Sequence, residues 1–374
     1  MGYTKRELYI QFLTRIYQEI SGCKIGEFSK LKALQAPRFS DFRFFFKAKL
    51  KKCFIVPADS FDNVKGVFPI GFKIWDTSVK SDFKHIKTET YDSENTFIGY
   101  KGIWNFDNQK LINDWVKTFR KSDSGSIATI IGVGNDFQNQ RLVRFGEPNM
   151  KVPADNHNWQ ITIDNLIKSS IYFTVRKVIP ADWLNDRDQF LYPNDSWKTD
   201  EEFQNDCFAY TLFSNNISSK YGVNHWIPFT EYEVGAPDKF TSNFMTDFIA
   251  GKSSKSENIV SDITLFYNCS PSDAGGYYSE KTKLKPRKFS KTAQNVFNAG
   301  KELWKYYLAQ SKCNVNASLY DIREYFQGRN DKGKMNNKSD DETYNELIGN
   351  LRTALKTLAK KIEPKVYEYG FLRT

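Results

Sequence analysis

No apolar run in this chain approaches the ~18 residues that would span a bilayer, and the N-terminus lacks the apolar core of a signal peptide. Met1-Gly2 opens like a myristoylation signal, but Arg6 stands where that signal wants Ser or Thr. Cysteine is scarce: Cys23, Cys53, Cys207, Cys269 and Cys313 lie far apart, odd in number and without a CxxC pair. Such spacing speaks against a zinc ribbon or a disulfide framework and suits a reducing compartment, so a cytoplasmic protein without a membrane partner is expected. The three histidines, His85, His157 and His225, are isolated and lack metal-ligand spacing. GxSxG, HExxH and P-loop motifs are all missing. No self-contained catalytic motif remains, and no metal is expected.

What the chain does hold is positive charge and aromatic rings. It has 374 residues, enough for two or three domains, with a net charge of +10. An excess of that sign favours a polyanionic partner, against the plainer reading of a solubilising lysine-rich surface. Aromatics are 16% of residues, which suits base stacking but also follows from nucleotide bias in a genome. The densest basic run, KTKLKPRKFSK from Lys281 to Lys291, contains no acid. Within it Lys281, Lys283, Lys285, Arg287 and Lys288 are candidate phosphate contacts. A solvated interdomain linker is the alternative.

Periodicity places the elements. In RELYIQFLTRIYQEI (6–20), Leu8, Phe12, Ile16 and Ile20 recur four apart, with Tyr9 and Leu13 beside them, which predicts an amphipathic helix with that face inward. A short strand follows at Lys24–Phe28, then a helix over Ser40–Leu50 capped by Ser40 or Asp41. The stretch CFIVPADSFDNVKGVFPIGFKIWD (53–76) reads as two buried strands, Cys53–Val56 and Phe68–Trp75, around a polar loop. This order predicts an α/β sheet. Lys84–Thr90 and Thr96–Trp104 alternate around Asp92–Asn95 like an exposed hairpin. Asn108–Arg120 and Asp200–Leu212 read as helices, and Ile161–Val178 as a helix followed by a strand. Thr292–Ala309 and Tyr320–Phe326 follow as amphipathic segments. In the last helix, from Asp341, Leu347, Leu351, Leu355, Leu358 and Ile362 form a stripe that Pro364 is expected to end.

One stretch imitates a nucleotide-binding turn. IATIIGVGNDF (127–137) sets Gly132-x-Gly134 after a strand, but the following residues, Gln138-Asn139-Gln140-Arg141, do not start a helix, and a plain β-turn is expected.

The residues up to Asp76 resemble the second half of the catalytic domain of adenine-N6 DNA methyltransferases, the S-adenosylmethionine-dependent enzymes of restriction–modification systems. ELYIQFLTRIYQEI (7–20) is similar to the helix after that family's Asn-Pro-Pro-Tyr motif, FSDFRFFFKAKL (39–50) to its next helix, and 53–76, with the ending FPIGFKIWD, to its last catalytic motifs. FTVRKVIPADWLNDRDQF, NHWIPF and YDIREYFQGRNDKGKMNNKS, further on, resemble segments that follow the catalytic domain in a subset of bacterial type II enzymes. The resemblance implies a partial Rossmann-like methyltransferase sheet in 1–76, a β-rich extension and target-recognition region in 77–290, and a helical segment in 291–374. It also implies that Phe68 stacks on an extruded adenine, where a plain core position is the alternative. The family's cofactor loop and its Asn-Pro-Pro-Tyr motif are not in this sequence and are expected upstream of Met1. The expected partners are therefore double-stranded DNA and an upstream polypeptide carrying those motifs. S-adenosylmethionine is expected to serve the complete enzyme, with none bound by this chain alone. Two rivals stand: a non-enzymatic DNA-binding or specificity subunit, and a complete enzyme that uses the GVGND loop as its cofactor turn.

Overall fold

The computed structural model describes residues 6–64, 68–132, 143–151, 157–180, 182–185, 187, 189–252 and 285–373. In chain order the elements are α1 (Leu8–Glu19), β1 (Lys24–Lys30), α2 (Lys32–Gln35), α3 (Ser40–Phe45), β2 (Ala48–Pro57), β3 (Pro69–Lys80), β4 (His85–Tyr91) and β5 (Phe97–Trp104). Then come α4 (Ile112–Lys117), β6 (Ala128–Gly132), β7 (Arg144–Gly146), β8 (His157–Ile161), α5 (Leu166–Val178), α6 (Glu201–Leu212), α7 (Glu231–Val234) and α8 (Phe244–Ile249). The last three are α9 (Lys291–Leu308), α10 (Leu319–Gln327) and α11 (Glu342–Glu368).

The first eight elements form a mixed α/β unit around a five-stranded sheet of order β1-β3-β2-β4-β5. β3 runs antiparallel to both β1 and β2, so these two are parallel to each other and need the crossover that α2 and α3 supply. β4 pairs parallel with β2 and antiparallel with β5, closing the hairpin expected around Asp92–Asn95. Alternation decides the buried side. Ile25, Cys53, Ile55 and Trp75 face a core shared with Ile10, Leu13, Leu31, Leu34, Phe42 and Phe46. Gly71 lies where Leu31 crosses the sheet: a Cβ there would stand 2.7 Å from Leu31 Cδ2. The same core buries Lys73 completely, with its ammonium 3.1 Å from Glu27 and 2.7 Å from Ser29 Oγ. Arg43, also buried, holds Asp107 through two nitrogens and the carbonyls of Ala33 and Ala36.

A second and larger core begins at Ile112 and ends at Leu372. The short sheet β7-β6-β8, antiparallel throughout, lies in it, along with α5, α6, α9 and α11. Buried indoles join the sheet to its surroundings: Trp226 donates to the carbonyl of Ile127 and Trp159 to Ser169 Oγ. No described helix is long and apolar enough to cross a membrane.

Several sequence expectations are corrected. On α1 the buried residues are Ile10 and Leu13, while Leu8, Phe12 and Ile20 are exposed, because the face toward the sheet is set by packing and not by the fourfold recurrence. The helix from Ser40 stops at Phe45, since the basic run after it joins β2. Residues 157–178 form a strand and then a helix, the reverse of the expected order, because β8 is needed beside β6. Pro364 lies inside α11 rather than ending it. The turns beyond it are held by tertiary contacts: Asn194 donates to the carbonyl of Glu368, Leu191 to that of Phe371, and Tyr369 to Asp200.

Candidate nucleic-acid interface

One face of the five-stranded sheet is packed against helices, and the other is lined with half-exposed rings. Residues in register across β1, β3, β2, β4 and β5 are Phe28, Phe72, Phe54, Glu89 and Tyr100. They share the open face because each stands one position from a core-facing neighbour such as Ile55 or Lys73. Phe61, Tyr91 and Phe97 complete the row. Ring centroids follow one another from Phe61 to Phe28 at 5.3 Å, Phe72 at 4.7 Å, Phe54 at 5.2 Å, Tyr91 at 5.9 Å, Phe97 at 5.8 Å and Tyr100 at 5.2 Å. Phe28, Phe97 and Tyr100 are each about half exposed. Glu89, the acid in this row, accepts from the Tyr91 hydroxyl at 2.8 Å, which raises the Tyr91 pKa.

Phe68 stands at the end of this face. Its carbonyl accepts from Ala58 N–H, which fixes the entry to β3, and the Lys30 ammonium lies 5.1 Å from its ring centroid. The ring is half-buried rather than sealed in a core. Lys87 likewise sets its ammonium 4.2 Å from the Tyr100 ring. Aromatic faces beside lysines suit stacking on bases with neutralisation of the neighbouring phosphates. An apolar face of this extent also suits coverage by another polypeptide. Beside it, β1 is an edge strand that pairs only with β3 among the described strands. The exposed Leu8, Phe12 and Ile20 of α1 belong to the same unit.

The other candidates lie elsewhere. Lys281 and Lys283 are outside the described residues. Lys285 and Lys288 are exposed, whereas Arg287 turns inward, with its guanidinium 5.0 Å from the Phe248 ring and its N–H on the carbonyl of Ile249. Burial lowers the Arg287 pKa. In the GVGND stretch β6 ends at Gly132 and residues 133–142 lie outside the described ones; β6 has antiparallel neighbours on both sides. His225 bonds Ser242 Oγ at 2.7 Å in the second core, where burial lowers its pKa, and His85 stacks on Trp104 at 3.7 Å. The side chain of His157 is outside the described residues. No group of His, Cys, Asp and Glu side chains able to hold a metal occurs among the described residues.

Sequence reasoning missed the aromatic row and the ring pair His85–Trp104. Part of their signal was the alternation in FIGYKGIW (97–104), where Tyr100 and Trp104 share one parity of β5, whereas Phe97 lies on the other parity beyond the register shift at Thr90/Tyr91. Compared with family models, curated proteins and solved structures, the chain matches none.

Proposed function

We propose that this chain is the DNA-recognising back half of an adenine-N6 DNA methyltransferase, completed by an upstream segment or a second polypeptide that brings the cofactor loop and the Asn-Pro-Pro-Tyr motif. The observation that carries the reading is an unfinished sheet. The strands similar to the family's late catalytic strands are neighbours in the order β1-β3-β2, and among the described residues β1 pairs on one side only, while Leu8, Phe12 and Ile20 of the same unit are exposed. A bare edge of that kind invites another strand, and folded proteins normally cover it. In this reading the added half would hold S-adenosylmethionine, which would supply the methyl group that replaces a proton on the adenine amino nitrogen and leave as S-adenosylhomocysteine. Phe68 would offer its ring to the extruded adenine. Lys30 holds a positive charge beside that ring.

The aromatic row favours a second reading, a DNA-binding subunit without enzymatic activity, because stacking and phosphate neutralisation need no cofactor. One experiment separates the two. The chain is titrated with S-adenosylmethionine by calorimetry, alone and with the product of the gene immediately upstream, and adenine methylation of duplex DNA is assayed in parallel. Silence alone, with binding and methylation on mixing, is the expected result. Duplex binding without methylation in the mixture would leave the non-enzymatic subunit. Cofactor binding by the chain alone would overturn both.

A further inference from the structure

We propose that the open face of the five-stranded sheet binds an unpaired DNA strand, whose successive bases stack on Phe28, Tyr100 and the rings between them. This deepens the DNA-recognising reading above and rests on it: beyond the single adenine at Phe68, the nucleotides beside it leave the duplex too. The rings stand at the end of the sheet where such a ligand belongs. β1, β2 and β4 are mutually parallel, and Phe28, Phe54 and Tyr91 each fall within the last four residues of their strands. Open α/β sheets take their ligands beyond those carboxyl ends, and Phe68 and Lys30 stand at the same end.

Ring geometry selects an unpaired strand. In a duplex each base lies between its neighbours and shows only its edge in a groove, so a row of rings meets no free base face. Unpaired bases turn outward and stack on the aromatic side chains of a sheet. Five strands at a spacing of about 4.8 Å give the row a span of about 19 Å, and aromatic sheet faces stack roughly two or three bases. Phe28 is held from several sides, with Phe61, Phe72 and Phe54 all within 6.0 Å of its ring centroid. A ring fixed before binding loses little freedom when a base arrives. Phe28, Phe97 and Tyr100 present the free surface, each about half exposed.

Charge on the same face favours a nucleic acid over a protein partner. Lys24 and Lys30 share the parity of Phe28, Lys52 that of Phe54 and Lys87 that of Glu89, and all four are exposed. The acids in register with these positions are engaged: Glu89 accepts from the Tyr91 hydroxyl, and Asp76 from Ser78 N–H and Oγ. Lys87 sets its ammonium over the Tyr100 ring and Lys30 sets its own over that of Phe68, so a phosphate contact lies beside a stacking surface on both sides of the row. The buried centre of a protein–protein interface is depleted in lysine, whereas a single strand needs rings and cations interleaved.

The test uses the full chain and two labelled duplexes of one length, fully paired and with a central run of mismatched bases, in fluorescence anisotropy. The mismatched duplex is expected to bind tighter by about tenfold or more, and the double variant Phe28→Ala/Tyr100→Ala to lose most of that excess. A second readout uses the unaltered chain, so it does not depend on the variant's folding. 5-Iododeoxyuridine in the mismatched run couples under ultraviolet light to a ring it stacks on, and mass spectrometry is expected to find it on Phe28, Phe97 or Tyr100. Equal binding of the two duplexes, an excess unchanged in the double variant, or couplings only outside the sheet would overturn the inference and leave the proposed function standing. A single-stranded RNA of the mismatched sequence that competed more strongly than its DNA counterpart would overturn the choice of DNA. Couplings that disappeared when the product of the upstream gene was added, with methylation present, would overturn the inference by giving the face to that polypeptide. No binding of either duplex would overturn the inference and count against the proposed function as well.

Discussion

Single positions in this chain carry charges and volumes that the surroundings barely accommodate. Lys177, near the end of α5, has its pKa lowered to about 8, first by burial and then by the neighbouring charges of Arg187 and Arg176. Between about pH 8 and the unfolded lysine value near ~10.4, the unfolded chain binds a proton that the folded chain has lost, so stability from this group rises with pH. Below pH 8 the folded state bears the full cost of the buried charge. Lys177→Met is therefore expected to be more stable than the parent by up to about 3 kcal/mol at pH 7, with the gap closing by pH 10. Urea unfolding at the two pH values checks it, and a pH-independent gap would sink the assignment. Gly300, in the middle of α9, is a steric case. A Cβ there would stand 2.3 Å from Phe213 Cε1, and Phe213 is hemmed in by Phe297, Phe229 and Trp304. Alanine gains up to about 1 kcal/mol of helix propensity, but overpacking costs about 1–3 kcal/mol, so Gly300→Ala is expected to lower the urea midpoint. Phe213→Leu in the same chain should recover most of the loss.

At the scale of elements, what could be read from the sequence divides by whether local patterns or distant partners decide. β4–β5, α6, α9 and α10 were legible because a turn, a cap or a periodic stripe lies within each: Asp200 caps α6, Ser290 caps α9 and Ser318 caps α10 with its capping box. The strand β8 was not legible, because its reason is β6, almost thirty residues earlier, as the pairing Ala128↔Ile161 records. Pro364 misled for the same reason: proline removes one helical hydrogen bond, but packing of Val366, Tyr369 and Phe371 into the second core carries α11 past it. The wrong face of α1 is the most informative miss. Leu8 and Phe12 obey the helical period and still stand exposed, so substituting them should leave the isolated chain alone. Leu8→Glu/Phe12→Glu is expected to change its unfolding free energy by less than about 0.5 kcal/mol. The same pair should abolish complementation by the upstream polypeptide in the methylation assay; if methylation survived, α1 would not belong to the joining surface.

For the molecule as a whole, the two cores do different work. The large second core is a packing of short sheet and helices, whereas among the described residues the first unit leaves a sheet edge, half-exposed rings and the α1 side chains Leu8 and Phe12 without cover. Phe68 was singled out only through resemblance, since nothing in FPIG distinguishes a ring at the end of an open face from one in a core; its half-exposure and the Lys30 ammonium are properties of the folded sheet. The net charge of +10 was legible from composition, and it makes a statement about binding that structure sharpens. If the open face and the exposed Lys285 and Lys288 track a duplex, association is driven by counterion release, with a slope of about −0.9 per phosphate contacted in log K against log[salt]. A footprint of about six phosphates then implies a fall in affinity of about a thousandfold between 50 and 200 mM salt. Fluorescence anisotropy with a labelled duplex measures that slope directly. Phe28→Ala and Tyr100→Ala should weaken binding through lost stacking, by roughly 1–3 kcal/mol for each base engaged, while leaving the slope unchanged. Lys285→Ala and Lys288→Ala should do the opposite, flattening the slope with a smaller loss at high salt. If the ring substitutions had no effect on DNA while the lysine substitutions did, the aromatic face would be left to the protein partner, and nucleic acid would be read by the second unit alone.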